Sequence, residues 1–590
     1  MEDESFSIRI SGDVIRISAN TYLGTMWGIY TFSEKVLGID PCYLFNDLPV
    51  KKRDFLEVDE FEISEHSVSF GFRGVFINDE DLLTGWKDGG GLRRIDYTYY
   101  GLTVSPDVMD MVVETVLRLR MNLVIPASFL DIDNPPEKLL ADRVARRGIY
   151  LSQHHLEPLG LSHFTLENYC KKFGKAGEYS YIQNPELLEE AWRYYVKLWA
   201  QYDNVVWQVG LRGKADRPVW EEDTPTEEEL RSYGAFIGGA IKKQQQIVLE
   251  ETNGEARYFT STLWMEGSSL MEKGYLDVGD NVCLVFSDNG PNQMFGNEYD
   301  RVPRSDQMKY GIYYHLQYFD IGPHLAPQTG WNKIYYNMER AYQKGDRSYF
   351  ILNLSNVREF TFELGMCAKL LWNIDGVSKD DYLTEYCSKV YGTNAGQAKS
   401  LIEAYFDQMP QLDTQYLCNV YAQYFNYFYE EVCPGVKNFV LKEGLILNRG
   451  KRLIAGFRQP FNNRFYDRMY EELKRVEPIY AELSEKFAKL CAVLDEPAVL
   501  HTQVKWKLHC DTLRSIYRWF IQLYEAKKSF DDNDADGTKH SLKKACDVLE
   551  QYLTARECAE YGIFKNWYRG DVKMNIKHCL AETKGIMGYC

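Results

Sequence analysis

Carboxylates and hydrogen-bonding side chains recur just past short apolar runs along the first two thirds of this 590-residue chain. Asn78, Asp79 and Glu80 follow one such run, and His155 and Glu157 follow another within QHHLEP. Arg212 and Asp216 lie in LRGKAD, Trp264 and Glu266 in LWMEG, and Asp288 and Asn289 in VFSDNG. His315, Tyr318 and His324 belong to YYHLQYFDIGPH, and Asn353 closes FILN. Singly, each has an ordinary reading as a cap, a turn or a satisfied core polar group. Gathered in one place, they would form an acidic cup with aromatic walls, the setting that glycoside cleavage needs. In that reaction one carboxylic acid protonates the leaving oxygen, while a second carboxylate activates water or attacks the sugar. Burial and like charge raise the pKa of one of the pair and so assign the acid. Glu157, between Leu156 and Pro158, has the more apolar setting and is expected to be the acid. Asp288, beside Ser287 and Asn289, is expected to stay ionised and activate water, with Glu266 as the alternative base. The remaining side chains are expected to hold the sugar. A sugar carboxylate would need cationic or amide donors, and Arg212, Lys214, His315 and His324 are available. A metal reading competes, because His154, His155, Glu157, Asp216 and Asp288 are all ligand types. HHxE at a strand end is not a metalloprotease helix motif, and no other His stands at a ligand spacing, so no metal or cofactor is expected.

The elements that must position these residues follow a repeat of apolar strand, polar break and helix. Strands are predicted at Phe70–Ile77, Asn122–Ala127, Gly148–Ser152, Asn204–Leu211, Arg257–Leu263, Val282–Phe286, Tyr310–Tyr318 and Tyr349–Leu354. Helical stretches alternate with them at Asp107–Arg120, Pro185–Gln201, Thr226–Gln246, Lys333–Lys344 and Glu359–Leu371. Eight such units are the count of a (β/α)8 TIM barrel, in which all strand ends meet at one mouth. An open doubly wound sheet is the rival, disfavoured because no Gly-rich phosphate loop follows a strand. The expected architecture is therefore α/β: a small α/β domain over 1–66, the barrel over 67–377 and an all-α helical domain over 378–590. The first domain opens with two short strands around Gly12-Asp13, followed by a helix over Thr21–Leu37. The last domain is expected to hold helices at Glu403–Met409, Tyr416–Glu431, Tyr466–Leu490, Thr502–Phe530 and Lys539–Tyr552. Asp532, Asp534, Asp536 and Gly537 imitate the opening of an EF-hand loop, but Lys543 stands where its bidentate Glu is required, which leaves a solvated loop between helices. The segment Lys565–Asp571 (KNWYRGD) is either a surface turn or a docking element against the barrel.

Composition narrows the partners. A formal net charge of −17 argues against nucleic acid and anionic membrane surfaces, and no apolar run is long enough to span a bilayer. The N-terminus MEDESFSIRI has neither a basic nor an apolar leader region, and the 13 Cys show no CxxC, so free thiols in a reducing cytoplasm are expected. The 43 Tyr, 30 Phe and 12 Trp would suit stacking on sugar faces, although most must be core.

The ordered segments FRGVFINDED, ADRVARRGIYLSQHHLEP, VVWQVGLRG, LWMEG, LVFSDNGPN, GIYYHLQYFDIGP and FILNLSN resemble glycoside hydrolase family 115, the xylan α-glucuronidases. The resemblance covers roughly Thr21 to Asn373. It implies an inverting, exo-acting, metal-independent enzyme that removes (4-O-methyl-)glucuronic acid, often as a homodimer, with a C-terminal β-sandwich that this chain would lack. On the family pattern RGxFxNDE fall Arg73, Asn78, Asp79 and Glu80; on HHEP, His155, Glu157 and Pro158; on RGDGD, Arg212, Gly213 and Asp216. Glu266 matches YKE, Asp288, Asn289 and Asn292 match DDNWGN, and Tyr314, His315, Tyr318, Gly322 and Pro323 match YYHFDYVGGPR. Leu156, Lys214, Pro291, His324 and Asn356 depart from the pattern. They leave open a glycosidase for a neutral sugar, or a carbohydrate-binding protein on an inactive scaffold.

Overall fold

The structure is a computed structural model that describes the chain except residues 1–2, 51, 67, 79–80, 98–99, 215–216, 223, 265, 289–292, 318–324, 328–329, 408–462, 573 and 588–590. Three antiparallel strands come first: β1 (Phe6–Ser11), β2 (Val14–Ala19) and β3 (Phe61–Glu65), in the order β2-β1-β3. Gly12 takes φ +56° in the tight turn between the first two, a backbone conformation that glycine adopts without steric cost. The helix Tyr22–Lys35 starts at Thr21, whose hydroxyl accepts the Gly24 N–H at 3.1 Å.

Eight parallel strands then close a barrel in sequence order: β4 (Phe72–Ile77), β5 (Leu123–Ile125), β6 (Tyr150–Ser152), β7 (Val205–Gln208), β8 (Phe259–Leu263), β9 (Val282–Ser287), β10 (Lys309–His315) and β11 (Tyr349–Leu354). Closure is made by β11 against β4, with Asn353 opposite Phe76. Every predicted strand lies on an observed one, but six of the eight are shorter than expected, β5 and β7 by half. Pro126 has no N–H to donate and follows the last residue of β5, while Gly148 at φ +73° delays the start of β6. Gly74 is needed where β4 meets β5, because a Cβ there would lie 2.0 Å from the Leu123 carbonyl oxygen.

Aromatic rings fill the N-terminal end of the barrel. Phe72 meets Tyr150 and Tyr258 edge-on at 4.9 Å each and lies 6.4 Å from Tyr349, so part of the aromatic excess is barrel core. Arg73, despite its place in a motif, points to this closed end. Its guanidinium pairs with Glu4 and donates to the carbonyls of Phe70, Gly71 and Arg120, fastening the N-terminal sheet beneath the barrel. A cavity of about 680 Å³ also opens here, lined by Tyr150, Trp207, Arg257 and Tyr258, and contains none of the strand-end carboxylates.

The remaining described elements are helical, including Ala395–Asp407, Asn463–Cys491, Leu508–Asp531 and Ala535–Ala555. The helix expected at Tyr416–Glu431 lies outside the described residues. Asp534 of the EF-hand look-alike is a helix cap, its carboxylate accepting the Gly537 N–H at 2.9 Å. The KNWYRGD segment docks on the barrel. Trp567 is fully buried and donates to Glu359 at 2.7 Å, and Arg569 donates to the carbonyls of Gly85 and Trp86. Trp86 stacks on Phe564 at 5.2 Å and donates to the Ile563 carbonyl. Arg358, just past β11, pairs with Asp47, lies over Phe564 at 3.7 Å and donates to the Ala559 carbonyl. Replacing Trp567 with Ala removes a buried ring and leaves the Glu359 carboxyl without its donor. The expected cost is about 3–5 kcal/mol in urea unfolding, and a loss under about 1 kcal/mol would show that the segment is not a structural anchor.

Candidate active site

At the C-terminal mouth, side chains from seven strands converge. His315 is the last residue of β10, and its Nδ1 lies 2.6 Å from Asp288 Oδ1, just past β9. The same carboxylate oxygen accepts the His315 backbone N–H at 3.1 Å. This double hold fixes the ring and places its Nδ1–H toward the carboxylate. Asp288 Oδ2 is buried with no hydrogen-bond partner among the described residues. Trp264, past β8, lies 5.5 Å from the His315 ring and 5.8 Å from His155, past β6. Arg212, past β7, donates to the Trp264 carbonyl at 3.4 Å and pairs with Glu266, the first residue of a short helix. Asn353 of β11 donates to the Tyr313 hydroxyl at 2.9 Å, and Asn78 past β4 accepts from Tyr100 at 3.2 Å.

A chain of direct contacts therefore links Glu266, Arg212, Trp264, His315 and Asp288, with His155 against Trp264. Glu157 is set back beside this group and is 1% exposed. Its Oε2 accepts the Leu130 N–H at 2.8 Å and its Oε1 the His154 N–H at 3.1 Å. Burial pushes its pKa well above the carboxylate range, against the opposing pull of those amides and of Arg93. Asp79, Glu80, Asp216, Asn289, Tyr318 and His324 lie outside the described residues. Lys214 is exposed, and its charge, after burial, is the second cause that lowers the His163 pKa to about 4. Among the described residues no group of three or more His, Cys, Asp or Glu stands together as a metal site.

Several members of the site went unrecognised in the sequence. Tyr313 lies 4.8 Å from His315 and 5.8 Å from His155; it is two residues before His315 on one strand, so strand alternation puts both on the inner face. Lys333, 2% exposed on the helix Trp331–Lys344, approaches Gln293 Oε1 at 3.5 Å. Burial lowers its pKa to about 7, partly offset by Asp288, and no sequence signal marks it. Gln317 gathers the loop past β11, its Oε1 accepting the Ser355 and Asn356 N–H groups at 2.6 and 2.7 Å.

His154 packs over Phe76 at 4.5 Å, and burial, reinforced by His155, holds its pKa well below 6.5. The unfolded chain takes up a proton at this residue that the folded chain refuses. Its contribution to stability is thus complete above about pH 6.5 and is lost as the pH falls toward the folded-state value. Thermal unfolding of the protein should show lower stability at pH 5 than at pH 7.5, and His154→Gln should flatten that slope. An unchanged slope in the variant would exclude His154 as its source.

The closed parallel barrel gathers carboxylates, imidazoles and a tryptophan at its C-terminal mouth, the side chains that a glycoside hydrolase uses. The family model described as glycosyl hydrolase family 115 matches residues 65–413, and the chain belongs to that family. No curated protein sequence matches the chain. Among solved structures, a family 115 4-O-methyl-α-glucuronidase with specificity for decorated arabinogalactans aligns at TM-score 0.67 and 19% identity, over 96% of this chain and 69% of that one. A family 138 enzyme targeting pectin rhamnogalacturonan II aligns at TM-score 0.55 and 11% identity, over 99% of this chain and 90% of that one. A family 89 glycoside hydrolase from Clostridium perfringens aligns at TM-score 0.51 and 10% identity, over 93% and 61%. These likenesses concern the fold.

Proposed function

We propose that this enzyme removes (4-O-methyl-)glucuronic acid from oligosaccharides derived from xylan or another uronic-acid-decorated polysaccharide, with inversion at the anomeric carbon. The observation that carries the reading is the placement of Arg212 and His315 next to Trp264, the one at its backbone carbonyl and the other near its ring, among the strand-end carboxylates. A guanidinium and an imidazole are suitable partners for a sugar carboxylate, and an indole face suits the ring that bears it. Glu157, protonated through burial, serves as the acid. Asp288 holds His315 through one oxygen and uses the other to take a proton from water, with Glu266 as the alternative base. Free thiols at nine described cysteines, Cys42, Cys283 and Cys510 among them, support a cytoplasmic enzyme acting on imported oligosaccharides.

A second reading, a glycosidase for a neutral sugar, rests on Glu266, which already neutralises Arg212. Hydrolysis of aldouronic acids is compared with that of neutral aryl glycosides, and proton NMR identifies the anomer first released. Release of the β-anomer of the uronic acid from an α-linkage supports the proposal. Turnover of neutral glycosides alone would replace it with the second reading, and sugar binding without any turnover would leave a binding protein.

A further inference from the structure

Beside the mouth stands a hydrophobic cluster that is not continuous with the main core. Tyr100, Phe129 and Phe164 form it, and Ile95 and Leu156 pack against it. Phe129 meets Tyr100 at 5.5 Å and Phe164 at 5.2 Å, both edge-on. Tyr97 closes the group, 5.3 Å from Tyr100, 6.2 Å from Phe129 and 6.0 Å from Phe164, yet it keeps 41% of its surface exposed. The segments after β4, β5 and β6 contribute, Phe164 from the helix His163–Phe173, so the cluster forms one side of the mouth. It touches the site twice: Tyr100 donates to Asn78, and Phe129 lies 6.3 Å from the His154 ring.

Apolar clusters normally sink into the core, and this one is held at the rim by polar anchors. Arg93 pairs with Glu137, lies 5.3 Å over Tyr100 and donates to the Ser128 and Phe129 carbonyls. Glu157 takes the next N–H, that of Leu130. Together they hold Phe129 at φ +52°, a left-handed conformation that a bulky residue adopts only under constraint. The loop carrying Tyr97 is braced as well, by Arg93 N–H to Gly101 O at 3.1 Å, Thr103 N–H to Gly91 O at 2.9 Å and Asn134 to Leu92 O at 2.9 Å. Leu156 adds an apolar side chain to the group. A rigid, partly exposed aromatic surface touching the sugar site is preorganised to stack on a flat, uncharged ring.

Building on the glucuronidase reading, we infer that this wall, with Tyr97 as its exposed face, is the subsite for the leaving group. It binds the neutral saccharide backbone from which the charged sugar is cut. Charged recognition then belongs to the Arg212 and His315 side of the mouth, and neutral stacking belongs to the Tyr97 side.

The test compares Tyr97→Ala and Tyr97→Phe with the unaltered protein on two substrates, an aldouronic oligosaccharide and α-glucuronosyl fluoride, which has no saccharide leaving group. Tyr97→Ala should lower kcat/KM about tenfold on the oligosaccharide, chiefly through KM, and leave the fluoride within about twofold; Tyr97→Phe should restore the oligosaccharide. Equal losses on both substrates, or no loss on either, would overturn the inference. If the protein hydrolyses neither substrate, so that the glucuronidase reading fails, calorimetric binding of linear xylohexaose and galactohexaose decides instead. Binding of one of them that is weakened by Tyr97→Ala supports the subsite and names the backbone, whereas no binding of either, or binding unaltered by the substitution, overturns it.

Discussion

Glu157→Gln is expected to lower turnover of an aldouronic oligosaccharide about a thousandfold while leaving affinity for the released sugar nearly intact. Glu157 is 1% exposed, and burial raises its pKa, so as the proposed acid it would enter the reaction carrying the proton that an alkoxide leaving group needs. A glutamine has the same shape and no such proton. The deficit should shrink to within about tenfold on α-glucuronosyl fluoride, because a fluoride leaves with little protonation. The two backbone amides complicate the substitution in a measurable way. Leu130 and His154 each donate to a separate oxygen of Glu157, and a glutamine must offer its own NH2 to one of them. Facing donors should cost about 1–3 kcal/mol of stability, read by thermal unfolding, and kinetics should be taken well below the lowered Tm. Near-normal turnover of the oligosaccharide by the variant would assign the acid to another group.

Asp288→Asn is expected to be as severe and to differ in its substrate dependence. The carboxylate accepts both the Nδ1–H and the backbone N–H of His315, so it fixes the ring's tautomer and direction at once. An amide in this place keeps the shape but cannot take a proton from water, and a positioned general base contributes about 10²–10⁴ in rate. A loss of about a thousandfold or more in kcat is expected here. Because attack by water is impaired rather than departure of the leaving group, the loss should be equally large on the fluoride. Azide, which attacks without giving up a proton, should restore the fluoride reaction and yield the β-glycosyl azide. A variant with full activity on both substrates would leave Glu266 as the base.

The barrel could be read from the chain because its signal is repeated eight times. Val282 to Phe286 is one continuous apolar run ending in Ser287 and Asp288, and similar designs recur from Phe72 to Leu354. Parallel strands are buried on both faces, which makes such runs conspicuous. Strand ends were harder to place, since Pro126 and Gly148 act on single peptide units within otherwise apolar stretches. In the site, the carboxylates stood out through their position past the strands. Their partners did not. Tyr313 reads as one more aromatic in a strand, Lys333 as an ordinary helix lysine and Arg93 as a surface charge, and only the folded arrangement makes them buried neighbours of the mouth. Arg73 shows the converse: a motif residue, second in its β-strand, faces the closed end, where its side chain satisfies Glu4 and three carbonyl groups. KNWYRGD, open between a surface turn and a docking element, is a docking element, and the aromatic pair in it was the clue, since Trp567 and Tyr568 are both buried.

That docking gives the molecule an order of completion. Trp86, close behind the first strand of the barrel, donates to Ile563, which lies 477 residues later in the chain. A ribosome adding about 5–20 residues per second takes roughly 24 to 95 seconds to cover that distance, so the first loop of the mouth waits unsupported while the rest is made. Phe564 and Trp567 also reach the loop past the last strand through Arg358 and Glu359, the same two loops that barrel closure makes neighbours. One late-arriving stretch of sequence thus pins the seam where the ring joins. The barrel is then not a portable cassette: cut before that stretch, it would keep all eight strands and lose the clasp between the first and the last.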